Sequence, residues 1–123
     1  MSPRSTVATK SNIRVRILVG SAIAIGPGKA DLLQAIADTG SISAAARRMG
    51  MSYRRAWLLV HTMNTCFAEP LVEAEKGGRA GGGAAITLTG REVLDAYQGL
   101  VRLARTRLQP YVARSAPPRK RAS

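Results

Sequence analysis

The sequence predicts a mainly α-helical domain with a small β-sheet, in the order strand, helix, helix, helix, strand, strand, helix. Apolar residues alternate with other residues from residue 13 to 25, which is typical of a strand, and three later segments have helical apolar spacing and capping residues. A glycine-rich stretch between two short apolar runs indicates a hairpin. With 123 residues, we expect a disordered arm at 1–12, one domain at 13–109 and a basic disordered tail at 110–123.

The predicted first strand is half-buried. Arg14 and Arg16 lie on the face opposite its alternating Ile and Val residues, and Gly20-Ser21 indicates a bend or a bulge. A helix is then predicted over residues 29–38, with Gly40 ending it.

Two further helices follow at a short interval. Ser43 is predicted to cap a helix at residues 44–49 that Gly50 ends, and Ser52 is predicted to cap a longer one from Tyr53 to about Cys66.

This helix pair has the side chains that a helix-turn-helix requires. Ala46 is small enough for the two helices to cross closely, and Gly50 tolerates the positive φ of the turn. Apolar residues that would lock the pair together stand at the expected offsets: Ala45, Met49, Met51, Ala56 and Leu59. The alternative is an ordinary two-helix corner with a solvated, charged face.

The charge indicates a polyanionic partner. The chain has 19 Lys and Arg against 7 Asp and Glu, a formal charge of +12. Nucleic acid is the usual partner of such a field, and an anionic membrane surface or solubility alone are the competing explanations. Four arginines and no acid lie between Gly40 and Ala68, two of them at Arg54 and Arg55 in the first turn of the second motif helix. That end of the helix is the part that enters the major groove, where arginine can read guanine.

The predicted hairpin has strands at Leu71–Glu75 and Ala85–Leu88. Between them lie five glycines with Lys76 and Arg79, and Arg79 at the tip could enter a narrow minor groove. An inert flexible linker is an alternative. A nucleotide-binding loop is disfavoured, because no Lys-Ser or Lys-Thr and no helix directly follow the last glycine.

The last helix is predicted to run from a capping box, Thr89 with Glu92, to about Leu108. Its apolar residues are spaced three and four apart, which is typical of a coiled-coil seam and predicts a dimer interface. The seam residues are Leu94, Tyr97, Val101, Ala104 and Leu108. The predicted fold is therefore a winged helix-turn-helix with a long C-terminal dimerisation helix.

Other functional classes find little support. His61 and Cys66 do not share a helix face, no ligand cluster with metal spacing exists, and no acid pair suggests catalysis, so we expect neither an enzyme nor a cofactor. A single cysteine forms no disulfide within the chain, and no apolar run is long enough to span a membrane. Basic residues before the apolar run 17–25 imitate a signal peptide, but its alternation favours a strand. We expect a cytoplasmic, nucleoid-associated protein.

Three segments carry a family resemblance. They are Gly40–Ala46, Met51–Trp57, and Gly77–Ala84 followed by Leu88-Thr89-Gly90. Together they resemble the N-terminal domain of ModE-type molybdate-responsive regulators, which is related to LysR-type winged helices. The resemblance covers about Ile13 to Leu108.

The resemblance implies a dimeric winged helix whose second motif helix reads the operator and whose glycine-rich wing contacts DNA. The N-terminal strand and last helix would help form the dimer. Candidate DNA-contacting residues are Ser43, Arg47, Ser52, Tyr53, Arg54, Arg55, Leu58, His61, Lys76 and Arg79. Full-length members carry a C-terminal portion that binds molybdate or tungstate and that is not visible here, so we expect regulation that is constitutive or signalled by a separate effector-sensing protein. A chain cut to its DNA-binding domain is the other alternative.

We therefore predict a homodimer that binds double-stranded DNA sequence-specifically and regulates transcription. Two alternatives remain: a non-specific or architectural nucleic-acid-binding protein, which needs the charge but not the motif, and a protein-interaction module that uses the last helix without DNA.

Overall fold

The computed structural model describes residues 13–75 and 83–112. The helices are α1 (Pro27–Thr39), α2 (Ile42–Met49), α3 (Tyr53–Cys66) and α4 (Leu88–Leu108), and the strands are β1 (Ile17–Val19), β2 (Ala22–Ile25), β3 (Val72–Glu75) and β4 (Gly83–Ile86). A short 3₁₀ turn at Gln109–Tyr111 follows α4. These residues fall into two units, residues 14–98 and residue 13 with residues 99–112. The predicted mainly helical fold with small antiparallel sheets is confirmed.

The N-terminal strand is a hairpin, which corrects the prediction of one continuous strand. β1 and β2 pair antiparallel, and Val19 faces Ala22 across the two-residue turn Gly20-Ser21. Gly20 has φ +62°, a left-handed conformation that few other residues adopt easily. The pairing register shifts between Ile17 and Leu18. The sequence signal at Gly20 thus marks a reversal of the chain.

Helix α1 has a proline in its first turn and ends at a glycine with positive φ. Pro27 stands in its first turn, where a missing N–H costs no hydrogen bond. Gly40 ends it with φ +77°, and the Gly40 N–H donates to the Ile36 carbonyl at 2.8 Å. Residues 27 and 28 therefore belong to the helix, which is longer than the predicted 29–38.

Two predicted caps lie two residues too late, because α2 and α4 begin earlier than expected. Ser41 caps α2, since its Oγ accepts from the Ala44 N–H at 2.8 Å, and Ser43 is an exposed residue inside the helix. Thr87 caps α4, since its Oγ1 accepts from the Gly90 N–H at 2.9 Å. The Thr89 hydroxyl donates to the Glu69 carboxylate. The proposed capping box at Thr89 is therefore wrong.

The core of residues 14–98 is aliphatic. Its fully buried large side chains come from β2, α1, α3, α4 and the loop before β3, and they are Ile25, Leu32, Leu33, Ile36, Met63, Leu71 and Leu94. Among the described residues, no polar or charged residue is buried. Burial of apolar surface therefore holds α1, α3 and α4 together with both hairpins.

Helix α4 does not present the whole predicted seam. Leu94 is fully buried, and Tyr97 is 7% exposed with its hydroxyl donating to the Val15 carbonyl at 2.7 Å. Both side chains serve the core of their own chain, so they offer almost no surface to a partner. Val101 and Ala104 are half-buried, and Leu108 is 50% exposed.

Gly90 is the residue through which α4 contacts the second hairpin. A Cβ at this position would overlap the Leu71 carbonyl oxygen and crowd the Ile86 side chain at 2.7 Å. Because the nearest neighbour is backbone, it cannot rotate away. A glycine is therefore required for this helix to approach the hairpin.

We predict that Gly90→Ala destabilises the fold by about 2 kcal/mol or more, because the added methyl group separates α4 from Leu71. Gly99→Ala in the same helix is the matched control. Its Cβ would meet only Arg102 Nη2 at 3.8 Å, so this change should stabilise the helix by about 0.5–1 kcal/mol. Urea unfolding measures both values, and equal effects of the two substitutions would contradict the close approach.

Candidate nucleic-acid interface

Helices α2 and α3 form the predicted helix-turn-helix. Ala45, Ala46 and Ala56 are at most 2% exposed, which lets the two helix backbones approach closely. Gly50 has φ +68° and joins the pair, and the Met51 N–H donates back to the Ala46 carbonyl at 3.0 Å. The turn is thus held by a backbone hydrogen bond, and the direction of α3 relative to α2 is set by side chains of minimal size.

The N-terminal end of α3 is exposed. Ser52 Oγ accepts from the Arg55 N–H at 3.1 Å and caps the helix as predicted. Tyr53 is 55% exposed, and Arg54 and Arg55 are exposed as well. Neither arginine takes part in an ion pair among the described residues. Both guanidinium groups are therefore available to a partner.

The two arginines occupy different sides of α3. Ala56, Val60 and Met63 are buried and define its inner face. With about 100° per residue, Arg54 lies about 150° from the centre of that face, on the outermost side of the helix. Arg55 lies only about 100° away, on one flank. Arg54 and Arg55, which were both predicted to contact DNA from the first turn of this helix, thus lie on different sides of it.

The outer face of α3 continues with the other predicted contact residues. Leu58 is 47% exposed, and His61 is exposed one turn further along. His61 stacks on Trp57, with ring centroids 5.3 Å apart and planes 5° from parallel. Trp57 is 46% exposed and was not predicted as a site residue. Its place four residues after Tyr53, on the same side of a helix, was the available signal.

Asn64 fastens the second hairpin to α3. Its Oδ1 accepts from the backbone N–H groups of Leu71 and Val72 at 2.8 and 3.2 Å, and its Nδ2 donates to the Val72 carbonyl at 3.0 Å. All three bonds meet the start of β3. Sequence reasoning missed this residue, because its partners are backbone groups that only the folded chain brings near.

The second strand of the hairpin is hydrogen-bonded to the turn between α1 and α2. The Ala84 N–H in β4 donates to the Gly40 carbonyl at 2.9 Å, in the turn between α1 and α2. β3 and β4 pair in regular antiparallel register from Val72–Ile86 to Glu75–Gly83. The predicted hairpin is confirmed, but its second strand lies two residues earlier than the predicted 85–88, because Thr87 and Leu88 belong to the start of α4. Its two strands are hydrogen-bonded to α3 and to the turn between α1 and α2. Lys76 and Arg79 lie outside the described residues.

The arginines of α2 differ in their surroundings. Arg48 Nη1 donates to Asp38 Oδ2 at 2.8 Å, and this hydrogen bond, with a second one from Gln34, holds the pKa of the Asp38 carboxyl below its usual value. The charge of Arg48 is thus partly compensated. Arg47 is exposed and forms no ion pair within the described residues.

The described residues hold neither a cluster of metal ligands nor a helix that could span a membrane. No group of three or more His, Cys, Asp or Glu residues there could hold a metal ion. None of the described helices combines the length and apolarity that crossing a bilayer requires.

A family model supports the assignment of the motif. Residues 29–91 match the model of the bacterial regulatory helix-turn-helix protein, lysR family. This match covers more than half of the chain. The chain belongs to the lysR family of bacterial regulatory helix-turn-helix proteins. The matched segment begins in α1 of this lysR-family domain, includes α2, α3 and both strands of the second hairpin, and ends in α4.

Curated relatives narrow the resemblance to the ModE type. The chain is 51% identical over 73 residues to the molybdenum-pterin-binding protein MopB of Rhodobacter capsulatus, covering 59% of this chain and 27% of MopB. It is 38% identical over 93 residues to the molybdenum transport protein ModE of Azotobacter vinelandii, covering 76% and 34%. With the DNA-binding transcriptional dual regulator ModE of Escherichia coli K12, 39% identity extends over 77 residues, covering 63% and 29%.

These relatives are much longer than the matched segment, since the chain spans only 27% to 34% of their lengths. A solved LysR family transcriptional regulator has a similar fold, with a TM-score of 0.52 over 68% of this chain and 27% of that protein. At 12% identity, that likeness concerns the fold alone. The predicted ModE-like and LysR-like resemblance is confirmed.

We predict that Asn64→Ala destabilises the domain by about 2–4 kcal/mol, because the N–H groups of the buried residues Leu71 and Val72 lose their acceptor. Thr65→Ala is the matched control. Thr65 is exposed, and its loss should change stability by less than about 0.5 kcal/mol. Thermal unfolding followed by circular dichroism compares the two, and a shift of equal size in both would remove Asn64 from its bridging role.

Proposed function

We propose that this lysR-family domain binds double-stranded DNA sequence-specifically as a homodimer and regulates transcription. The observation that carries the proposal is the position of Arg54. It lies on the outermost side of α3, near the helix N-terminus, and no ion pair among the described residues engages it. The inner side of α3 packs against the core, and its outer side carries a guanidinium group without an ion-pair partner among the described residues. This arrangement suits contact with base edges in the major groove.

In this proposal α3 occupies the major groove. The groove is about 12 Å wide, and a helix with its side chains is about 10–12 Å across, so the outer face meets the bases while the flanks meet the backbones. Arg54 donates to guanine, and Leu58 and His61 meet sugars or thymine methyl groups. Tyr53 and the Ser52 end of the helix bind phosphate oxygens through a hydroxyl and backbone N–H groups.

The hairpin acts as the wing. The hydrogen bonds of Asn64 to β3 and of Gly40 to β4 fix the strands beside the recognition helix, which supports a wing that follows the DNA next to the major groove. We propose that Lys76 and Arg79, which lie between the two strands in the sequence, contact the minor groove.

The proposed dimer uses apolar surface on two elements. Leu100, Leu103 and Leu108 of α4 are 42%, 56% and 50% exposed and lie on one side of the helix with Val101 and Ala104. In β1, residues 17–19 are exposed apolar residues as well. This revises the predicted seam, because Leu94 and Tyr97 serve the core and Leu100 and Leu103 take their place. Two copies of α3 would then read two half-sites one helical turn apart.

The second candidate function is non-specific nucleic-acid binding. The charge of +12 favours it, since phosphate neutralisation alone gives sequence-independent affinity. The names of the relatives refer to molybdenum and to transcriptional regulation, and the chain matches about a third or less of each. We therefore propose only DNA binding and transcriptional regulation for the matched domain, with no catalytic role, no cofactor and no effector.

We predict that Arg54→Ala lowers the affinity for a selected DNA site by about 1–3 kcal/mol while leaving the affinity for random DNA nearly unchanged, because a base contact is lost. Selection from a random duplex library with the wild-type protein supplies the site, and fluorescence anisotropy measures both affinities. Arg54→Lys keeps the charge and loses the planar fork, so it should also lose part of the preference. Equal losses on both DNAs would favour the non-specific function.

We predict that Leu103→Glu and Leu108→Glu, made separately, dissociate the dimer, because each places a charge in an apolar interface. Thr106→Glu adds the same charge on the opposite side of α4, at an exposed position, and should leave the dimer intact. Light scattering after size exclusion gives the masses. A wild-type protein that is monomeric at micromolar concentration would contradict the dimer.

A further inference from the structure

A cleft beside the recognition helix collects four cationic side chains. Arg14 and Arg16 precede and flank the start of β1, Lys29 lies in the first turn of α1, and Arg55 comes from α3. All four line a cavity of about 280 Å³ within residues 14–98, and its lining contains no acidic residue. Of the predicted DNA-contacting residues, only Arg55 belongs to it.

Two of the cationic groups in this cleft are near enough to interact, and none of the four has an ion-pair partner among the described residues. Burial lowers the pKa of the Lys29 ammonium group, and the nearby Arg55 guanidinium lowers it further, while Cys66 opposes both. None of the four side chains belongs to either ion pair of the described residues. Like charges held together without a counterion favour the binding of an anion.

The backbone at the cleft adds hydrogen-bond donors, and one of its glycines leaves room for an arginine side chain. Gly28 and Lys29 both line it, and their N–H groups precede the first hydrogen bond of α1, from the Ala30 N–H to the Gly26 carbonyl. Gly26 leaves room for Arg16, since a Cβ there would lie 3.3 Å from Arg16 Cγ. Guanidinium groups, an ammonium group and free N–H groups are the donors that phosphate prefers.

We propose that this cleft, formed by Arg14, Arg16, Lys29 and Arg55, is a binding site for a phosphate group, and that its occupant is a backbone phosphate of the DNA that α3 reads. This inference rests on the proposed function. Arg55 lies on the flank of α3, where a helix in the major groove meets a sugar-phosphate strand and not the bases. The chemistry is that of any tetrahedral oxyanion, so a free phosphate ion is the other source to test.

The test compares Lys29→Gln and Arg16→Gln with wild type and with Arg102→Gln, which removes one exposed charge of α4 outside the cleft. Each cleft variant should bind selected and random duplexes about eightfold more weakly at 0.1 M salt, and its salt-dependence slope should fall by about 0.9, the value for one phosphate contact. Circular dichroism verifies that each variant is folded. An Arg102→Gln loss of the same size would show an effect of net charge alone and overturn the site.

A second measurement separates the two sources of phosphate. The thermal midpoint is measured in inorganic phosphate and in chloride of equal ionic strength. Unchanged DNA binding by the variants, with a phosphate-dependent rise in midpoint that only wild type shows, would support the site but assign it to a free anion and overturn the DNA occupant.

The remaining outcomes separate the site from the proposed function. If wild type binds DNA, the variants match it in affinity and slope, and phosphate raises no midpoint, the cleft is not an anion site while the proposed function stands. If wild type binds no DNA but keeps the phosphate-dependent rise, the proposed function and the DNA occupant fail and the anion site stands.

Discussion

The close crossing of α2 and α3 is the constraint on which the rest of the structure depends. Ala45, Ala46 and Ala56 are buried and contribute only methyl groups to the packing of the motif, and Gly50 takes a left-handed conformation in the three-residue turn between the two helices. A larger side chain at the crossing would rotate α3 as a unit, because a packed interior does not absorb extra volume locally. The directions of the exposed side chains of α3 therefore depend on the packing of three alanine methyl groups and on the turn at one glycine.

Hydrogen bonds from polar groups fix the position of the second hairpin relative to the helices of the motif. A two-stranded hairpin is marginally stable alone, so β3 and β4 need external partners. Asn64 supplies three hydrogen bonds to β3, and the Gly40 carbonyl accepts one from β4. Both anchors belong to the ends of the helices that form or flank the motif. The hairpin is thus positioned by the same elements that position α3, and a shift of the crossing would move both together.

The parts of the fold that local chemistry decides were predictable from the sequence, and the parts decided by distant neighbours were not. Gly40, Gly50 and Ser52 terminate or cap helices through their own backbone or side chain, so their roles could be predicted. The helix starts at Ser41 and Thr87 could not be predicted, because Ser43 and Thr89 are equally good local candidates and tertiary contacts decide between them.

The coiled-coil spacing of α4 is real, but it does not distinguish a partner helix from the core of the same chain. Leu94 and Tyr97 are buried in that core. The cleft that Arg55 lines with Arg16 and Lys29 likewise could not be predicted, because these residues are distant in sequence.

The inner, outer and flanking sides of α3 have different surroundings. In the proposed complex, this difference separates the roles of Arg54 on the outer side and Arg55 on a flank. Its inner side is restricted to Ala56, Val60 and Met63, which must fit the core. A cation on the outer side competes with water for base edges, so it contributes binding free energy only where the DNA sequence offers a matching base. A cation on a flank contributes binding free energy wherever a phosphate is present. Two adjacent arginines, separated by about 100° around one helix, therefore contribute differently. In the proposed complex Arg54 would supply discrimination between DNA sequences and Arg55 would supply affinity, so the strong positive charge of the chain would be compatible with the choice of a site.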